Sequence, residues 1–415
     1  MARLKGIHIV YALIFLISGT ITAQLPEVVK EHYKLVWEDQ FDYPDKKLDK
    51  QWASQNGPSG HILCSRWREN VVVKNGLLYL VNKKEKRAGQ EWTSGSIWTK
   101  KRFKYGYFEC RYKYAGAEAT NNSFWLMTKG GGQPEEGKRF EIDINEGHYP
   151  NEVNTNIHNW SDITITKDGK RKHPSSHKGF AYGAKSGYSI QLEIPVNTKK
   201  IRFQSNNNGR FHLGEFRVYG LNDGNYPDVL SKTADRDIPN LKNLAAFKDV
   251  TITSSGSYKN NNSEKNLIDG NPKSRWNTQD EGNKWLKFEW KDDITIGCIQ
   301  FLNGWQSANG DWHDLIKDYK IQYLDDGEWK DISVLNVTDS YDFANKFHTY
   351  GLLWNEKEIV FYFDGEEIRR EKNEFCFSET PIWLSLAIIK WAGPVKDNID
   401  GTSMQVDYVK YYQKK

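Results

Sequence analysis

Apolar residues along this chain recur at every second position far more often than at helical spacing. Val71-Val-Val-Lys-Asn-Gly-Leu-Leu-Tyr-Leu-Val81 reads as two β-rich runs joined at Lys74-Asn75-Gly76, a hairpin. Short runs and turns of this kind continue from Leu35 to about Asp162, and long helical periodicity is absent. Val153-Asn-Thr-Asn-Ile-His-Asn-Trp160 alternates, which puts Asn154, Asn156, His158 and Trp160 on one face of a strand. Phe343 to Tyr362 alternates again, and Asp364-Gly365 is its hairpin turn. The pattern predicts an all-β sandwich or barrel.

One strand breaks the apolar rule. Phe140-Glu-Ile-Asp-Ile-Asn-Glu146 carries three carboxylates within six residues of an otherwise core-like run. Strict alternation would put Glu141 and Asp143 on one face and Glu146 on the other. A β-bulge near Ile144-Asn145 adds one residue and returns Glu146 to the face of Glu141 and Asp143. Like charges so close cannot all ionise easily, so at least one carboxyl must titrate high. Glycoside hydrolysis with retention uses such a pair, one carboxylate attacking the anomeric carbon and another protonating the leaving oxygen. That chemistry asks for carboxyl groups about 5–5.5 Å apart.

Composition changes the picture only in places. The 415 residues leave room for two domains, and a formal net charge of +4 does not point to nucleic acid. Sixteen tryptophans and 22 tyrosines exceed what charge conveys, because aromatic faces fill sandwich cores and also stack on sugar rings. Arg3 and Lys5, the apolar run Ile7 to Ile17 and the small residue Ala23 read as a signal peptide over 1–23. That predicts a secreted protein without a transmembrane anchor, and a monomer. Cys64, Cys110, Cys298 and Cys376 fit no zinc site; one pair could bridge after export.

The acid strand resembles the signature of glycoside hydrolase family 16 in its bulged E-x-D-x-x-E form. Further segments resemble that family in its own order: Leu35-Val-Trp-Glu-Asp-Gln-Phe41, Phe103-Lys-Tyr-Gly-Tyr-Phe-Glu-Cys-Arg111, Ser123-Phe-Trp-Leu-Met127, Phe347-His-Thr-Tyr350, Phe361-Tyr-Phe-Asp-Gly365 and Val406-Asp-Tyr-Val-Lys-Tyr-Tyr412. The resemblance implies a concanavalin A-like jelly roll built from 24–180 and 339–415. It also implies Glu141 as nucleophile, Glu146 as acid and base, Asp143 as the partner tuning the nucleophile, and Trp125 in the cleft. His158 would touch the sugar beside the scissile bond. Trp160, Trp98 and Trp391 are further candidates, and Arg66 and Arg68 offer guanidinium groups for sulfate or carboxylate.

Residues 181–338 interrupt that family pattern. Asn243-Leu-Ala-Ala246, Asn266-Leu-Ile-Asp-Gly-Asn-Pro-Lys-Ser-Arg-Trp276, Lys284-Trp-Leu-Lys-Phe-Glu289 and Asp318-Tyr-Lys-Ile-Gln322 resemble a discoidin domain, the fold of carbohydrate-binding module family 32. Segments that end such a domain, Lys200-Ile-Arg-Phe203 and Leu213-Gly-Glu-Phe-Arg-Val-Tyr-Gly220, here precede Asn243. The order predicts a circularly permuted, galactose-binding-like β-sandwich. Asp269 and Ser274, joined by Glu215, would form a structural Ca²⁺ site with no cofactor needed for catalysis. The expectation is a retaining endo-β-glycosidase on a β-linked polysaccharide, an algal galactan of agar, porphyran, carrageenan or furcellaran type. Alternatives are a laminarinase-type β-1,3-glucanase and a non-catalytic carbohydrate-binding surface protein.

Overall fold

The computed structural model describes residues 25–128, 137–206, 210–258, 263–271, 273–279, 282–308, 310, 312–337 and 341–415. The segment read as a signal peptide, 1–23, lies outside the described residues. Among the described residues no helix is long and apolar enough to cross a membrane.

Two antiparallel sheets face each other in the first unit. One runs Glu366–Lys372, Glu358–Phe363, His348–Trp354, Gly106–Lys113, Ser403–Lys414, Leu77–Val81, Val71–Lys74, and Tyr33–Asp39 also pairs on Ser403–Lys414. The other runs Ser175–Ala181, Glu152–Asn159, Phe140–His148, Thr120–Met127, Ile382–Ile388, Ser96–Thr99, Trp52–Ser54. Alternation decides what lies between them. Phe108, Phe124, Ile142, Leu352, Trp354, Leu384 and Val406 point inward and close one core. The opposite face of the second sheet carries Asn121, Ser123 and Trp125 instead, so its polar and aromatic positions are free for chemistry.

The chain leaves this sandwich after Ser175–Ala181, and Tyr182 still packs on Phe343 and Phe363. Gly183 adopts φ +79°, and a Cβ there would meet Tyr341 and Val337, so the outgoing and returning segments lie side by side. That is the geometry an insertion into a host loop requires.

The second unit has its own core, with Ile201, Phe203, Phe216, Phe288, Phe301 and Ile321 fully or nearly fully buried. Its main sheet runs Trp276–Asn277, His212–Tyr219, Lys284–Asn303, Gly187–Ser205, Asp318–Asp325, Glu328–Asn336. Gly187–Ser205 and His212–Tyr219 thus sit in the middle of a sheet whose remaining strands all follow residue 243. Neither could be removed without exposing the edges of Lys284–Asn303. One closed module with its terminal strands moved to the front accounts for this interleaving. All four cysteines are buried and free, so no disulfide bridges them; three lie in strands whose neighbours are not cysteines.

Candidate active site

The strand Phe140–His148 pairs with Thr120–Met127 as Glu141↔Met127, Ile142↔Leu126 and Asp143↔Trp125, then resumes as Asn145↔Phe124 and Glu146↔Ser123. The shift between Asp143 and Asn145 is one extra residue on the acid strand, a bulge at Ile144. Ile144 and Asn145 both turn toward the core, where Asn145 Nδ2 donates to the hydroxyls of Tyr112 (2.6 Å) and Tyr114 (2.8 Å). This buried polar anchor holds the bulge, and Glu146 emerges on the side of Glu141 and Asp143. Gly147 is required next, since a Cβ there would lie 2.2 Å from the Tyr114 ring.

Cross-strand register then lays out two rows. Asp143, Trp125, Trp383 and Trp98 are successive neighbours across four strands, and the rings of Trp125 and Trp98 stack on Trp383 at 4.7 and 4.5 Å. Beside them run Glu146, Ser123, Ser385 and Ser96, a polar row of small side chains. An aromatic floor beside small hydroxyls suits a sugar chain lying across the strands.

Each acid has a distinct surrounding. Trp160 Nε1 donates to Glu141 Oε2 at 3.0 Å, and Asn121 Nδ2 donates to Glu146 Oε1 at 2.8 Å. His158 Nε2 lies 3.2 Å from Asp143 Oδ2, and its Nδ1 lies 2.7 Å from His173 Nε2. Burial pushes the Glu141 carboxyl well above the usual carboxylate range, and the neighbouring charge of Asp143 adds to it. Burial and then the charge of Glu146 push Asp143 up as well, while a hydrogen bond with Glu141 opposes the rise. The two carboxyls therefore hold a proton between them more readily than two charges. Ligand atoms of Glu141, Asp143 and His158 all lie within 4.8 Å, a spacing that would also admit a cation.

Glu141, Asp143, Glu146, Trp125, Trp98, His158 and Trp160 thus come together. Three expected substrate contacts do not join them. Arg68 is bound by Asp45 and Asp49 at 3.0 and 2.8 Å and by the Val71 carbonyl, so its guanidinium is spent within the scaffold. Arg66 is 6% exposed, with Nη1 on the Gly95 carbonyl at 3.1 Å, a buried strut. Trp391 sits on the turn Lys390–Ala392 facing the inserted module, outside the tryptophan stack. Residues that sequence reading missed are Asn121 and His173. Asn121 lies in a strand read only for its tryptophan. His173 returns through the small hairpin of Thr164–Ile165 and Arg171–Lys172 to stack 3.7 Å from Trp160, and no local pattern announces that.

In the module, the Ser274 hydroxyl lies 2.9 and 2.8 Å from the two Asp269 carboxylate oxygens and 2.8 Å from the Asn271 carbonyl oxygen. One hydroxyl proton serves one acceptor, so this oxygen-rich loop fits the donor chemistry of a hard cation. Glu215 is buried on the strand His212–Tyr219, with Oε2 4.0 Å from Arg217 Nε.

Comparison with known proteins gives the family. The pattern of Glycosyl hydrolases family 16 matches residues 61–184 and 326–410, about half of the chain, and that of the F5/8 type C domain matches residues 251–350. The endo-1,3-1,4-beta-glycanase ExsH of Rhizobium meliloti is 42% identical over 71 residues, 17% of this chain and 15% of that protein. A beta-glucanase of Rhodothermus marinus is 32% identical over 142 residues, 31% of this chain and 49% of that protein. The chain therefore spans less than half the length of these curated relatives. The laminarinase catalytic domain of Thermotoga maritima aligns over 92% of this chain and 99% of its own at 15% identity, with a TM-score of 0.47. The F5/8 match leaves out Gly187–Tyr219, the strands moved to the front of the module. With the family pattern resuming on the far side of that module, the chain belongs to glycosyl hydrolases family 16 and is interrupted by an F5/8 type C domain.

Proposed function

We propose that the protein is an exported retaining endo-β-glycosidase whose substrate is a β-1,3- or mixed β-1,3-1,4-linked glucan. The observation that carries the reading is the bulge, which brings Glu141, Asp143 and Glu146 to one face beside the tryptophan row. Glu141 attacks the anomeric carbon, and the Trp160 N–H supports its anion. In the resting site Asp143 and Glu141 share a proton across their hydrogen bond, which offsets the cost of a buried anion. Glu146, oriented by Asn121, protonates the leaving oxygen and then activates water for the second displacement. A galactan substrate loses the two arginines expected to bind its anions, because Arg66 and Arg68 are spent inside the scaffold, and the relatives named above are an endo-1,3-1,4-beta-glycanase and a beta-glucanase. A Ca²⁺ ion held by Asp269 and Ser274, with Glu215 on the adjacent strand, belongs to the same reading as a structural element.

The test measures reducing ends released from laminarin, mixed-linkage β-glucan, agarose and carrageenan, and the anomeric configuration of the first product by NMR. The expected result is glucan cleavage with retention. Glu141→Gln and Glu146→Gln should each lose at least about three orders of magnitude in turnover. An inverted first product, cleavage of galactans alone, or near-native turnover in either variant refutes it.

A further inference from the structure

The inserted module and the catalytic sandwich meet along a trench. One part, of about 440 Å³, is walled by His148, Glu152 and Lys317; the next, of about 870 Å³, by Arg210, Arg275 and Lys284. Asp314, Trp391 and Gly393 line both, so the parts are continuous. The trench points toward the acid site, because His148 on its wall follows Glu146 by two residues on the same strand face. The Lys317–Glu152 ion pair, 2.8 Å, ties the module to the catalytic sheet at that end.

The far part has the marks of a binding site that neither unit completes alone. Arg210, Arg275 and Lys284 of the module face Lys390 and Lys396 of the sandwich. Lys396 Nζ lies 3.5 Å from Glu118, and Arg210 and Lys284 have partners of their own, so Arg275 and Lys390 carry the charge open to a ligand. Asp314 is the one carboxylate among the described residues lining this part. One buried polar atom on its wall, Arg275 Nε, lacks a hydrogen-bond partner, while His212 and Asn277 pair through their side chains. His212 is only 5% exposed. Burial pushes it down to about 4 against the pull of Asp314, so at neutral pH it offers a hydrogen bond and no charge. A buried polar atom without a partner, as Arg275 Nε is, is costly unless a ligand supplies one. Two indoles add flat apolar faces: Trp305, with the Arg275 guanidinium 4.8 Å from its ring, and Trp391, 65% exposed. Indole faces stack on sugar rings, and guanidinium and ammonium groups select anions.

We propose that this seam is a distal subsite, shared by both units, for a stretch of the polysaccharide chain that carries carboxylate or sulfate groups. It rests on the endo-glycosidase reading only in taking the bound chain to extend from the acid site. The substrate is then a β-glucan with acidic substituents, gripped by its backbone over the tryptophan row and by its anions at the seam.

The test uses the full chain carrying Glu141→Gln, so that binding is read without turnover. Calorimetric titrations compare neutral, carboxymethylated and sulfated β-1,3-glucan of matched length at low salt. At least one charged polymer should bind about ten-fold or more tightly than the neutral one, and which one it is separates carboxylate from sulfate. Lys390→Glu, at an exposed position, and Arg275→Gln should each cut that preference by at least about three-fold. Equal binding of all three polymers, or a preference that Lys390→Glu leaves intact, overturns the proposal. Parallel assays of wild-type laminarin hydrolysis keep the readings apart. Charge preference without glucan cleavage refutes the glucanase assignment and leaves the seam site standing. Cleavage without charge preference refutes the seam site alone.

Discussion

Replacing Trp160 with phenylalanine isolates one hydrogen bond at the nucleophile. The indole N–H lies 3.0 Å from Glu141 Oε2, while the ring is held by stacking on His173 at 3.7 Å and His158 at 5.4 Å. Phenylalanine keeps an aromatic ring in that stack and deletes only the donor. A hydrogen bond to a charged group contributes about 1.5–3 kcal/mol. Glu141 is partly exposed, so water recovers some of it, leaving a loss of about 1–2 kcal/mol. Burial and Asp143 already hold Glu141 high, and the lost donor favoured the anion, so its pKa rises further. The attacking form is the anion. The acidic limb of kcat/KM should therefore move to higher pH, and turnover on that limb should fall roughly 5–30-fold. The loss should shrink as pH rises. The assay is laminarin hydrolysis by Trp160→Phe and wild type from about pH 4 to 9. A limb that stays put, or an equal loss at every pH, would mean that Trp160 only packs and does not stabilise the anion.

The remaining predictions concern stability and coupling. Asn145→Leu leaves the Tyr112 and Tyr114 hydroxyls without their buried donor, which should cost about 2–3 kcal/mol and lower the melting temperature by roughly 5–10 °C. Although burial alone would push Glu152 up, Lys317 and His148 hold it well below the usual carboxylate range. A depressed carboxyl contributes stability above its unfolded value, and that contribution fades as pH falls. Glu152 is 32% exposed in its side chain, so the pair is screened and Lys317→Met should cost only about 1 kcal/mol near neutrality. Melting curves of the variant and wild type should converge as the pH drops below about 4; a constant gap would show that Glu152 does not titrate this way. Millimolar Ca²⁺ should raise the melting temperature of the wild type and not of Asp269→Ala, and no effect on either would remove calcium from the proposed reading.

The sequence by itself settled what depends on local pattern. Period-two alternation gave an all-β chain, and family order in six short segments marked the two stretches of one sandwich with an interruption between them. The acid triad was legible because carboxylates stand out within a strand whose neighbours are isoleucines. Even the bulge could be argued in advance, since only an extra residue lets Glu146 share a face with Glu141 and Asp143. The fate of long side chains was not legible. Arg66 and Arg68 carry groups that suit an anionic sugar, yet an arginine's role is set by which carboxylate or carbonyl arrives from elsewhere in the chain. Asp45, Asp49 and Gly95 reached the two arginines first. His173 and Asn121 were missed for the same reason, because their partners lie 15 and 25 residues away in sequence. The seam was beyond sequence altogether. Its walls come from residues within 116–152, 206–318 and 390–398, which meet only after the two cores have formed, so its charge and shape are properties of the assembled surface.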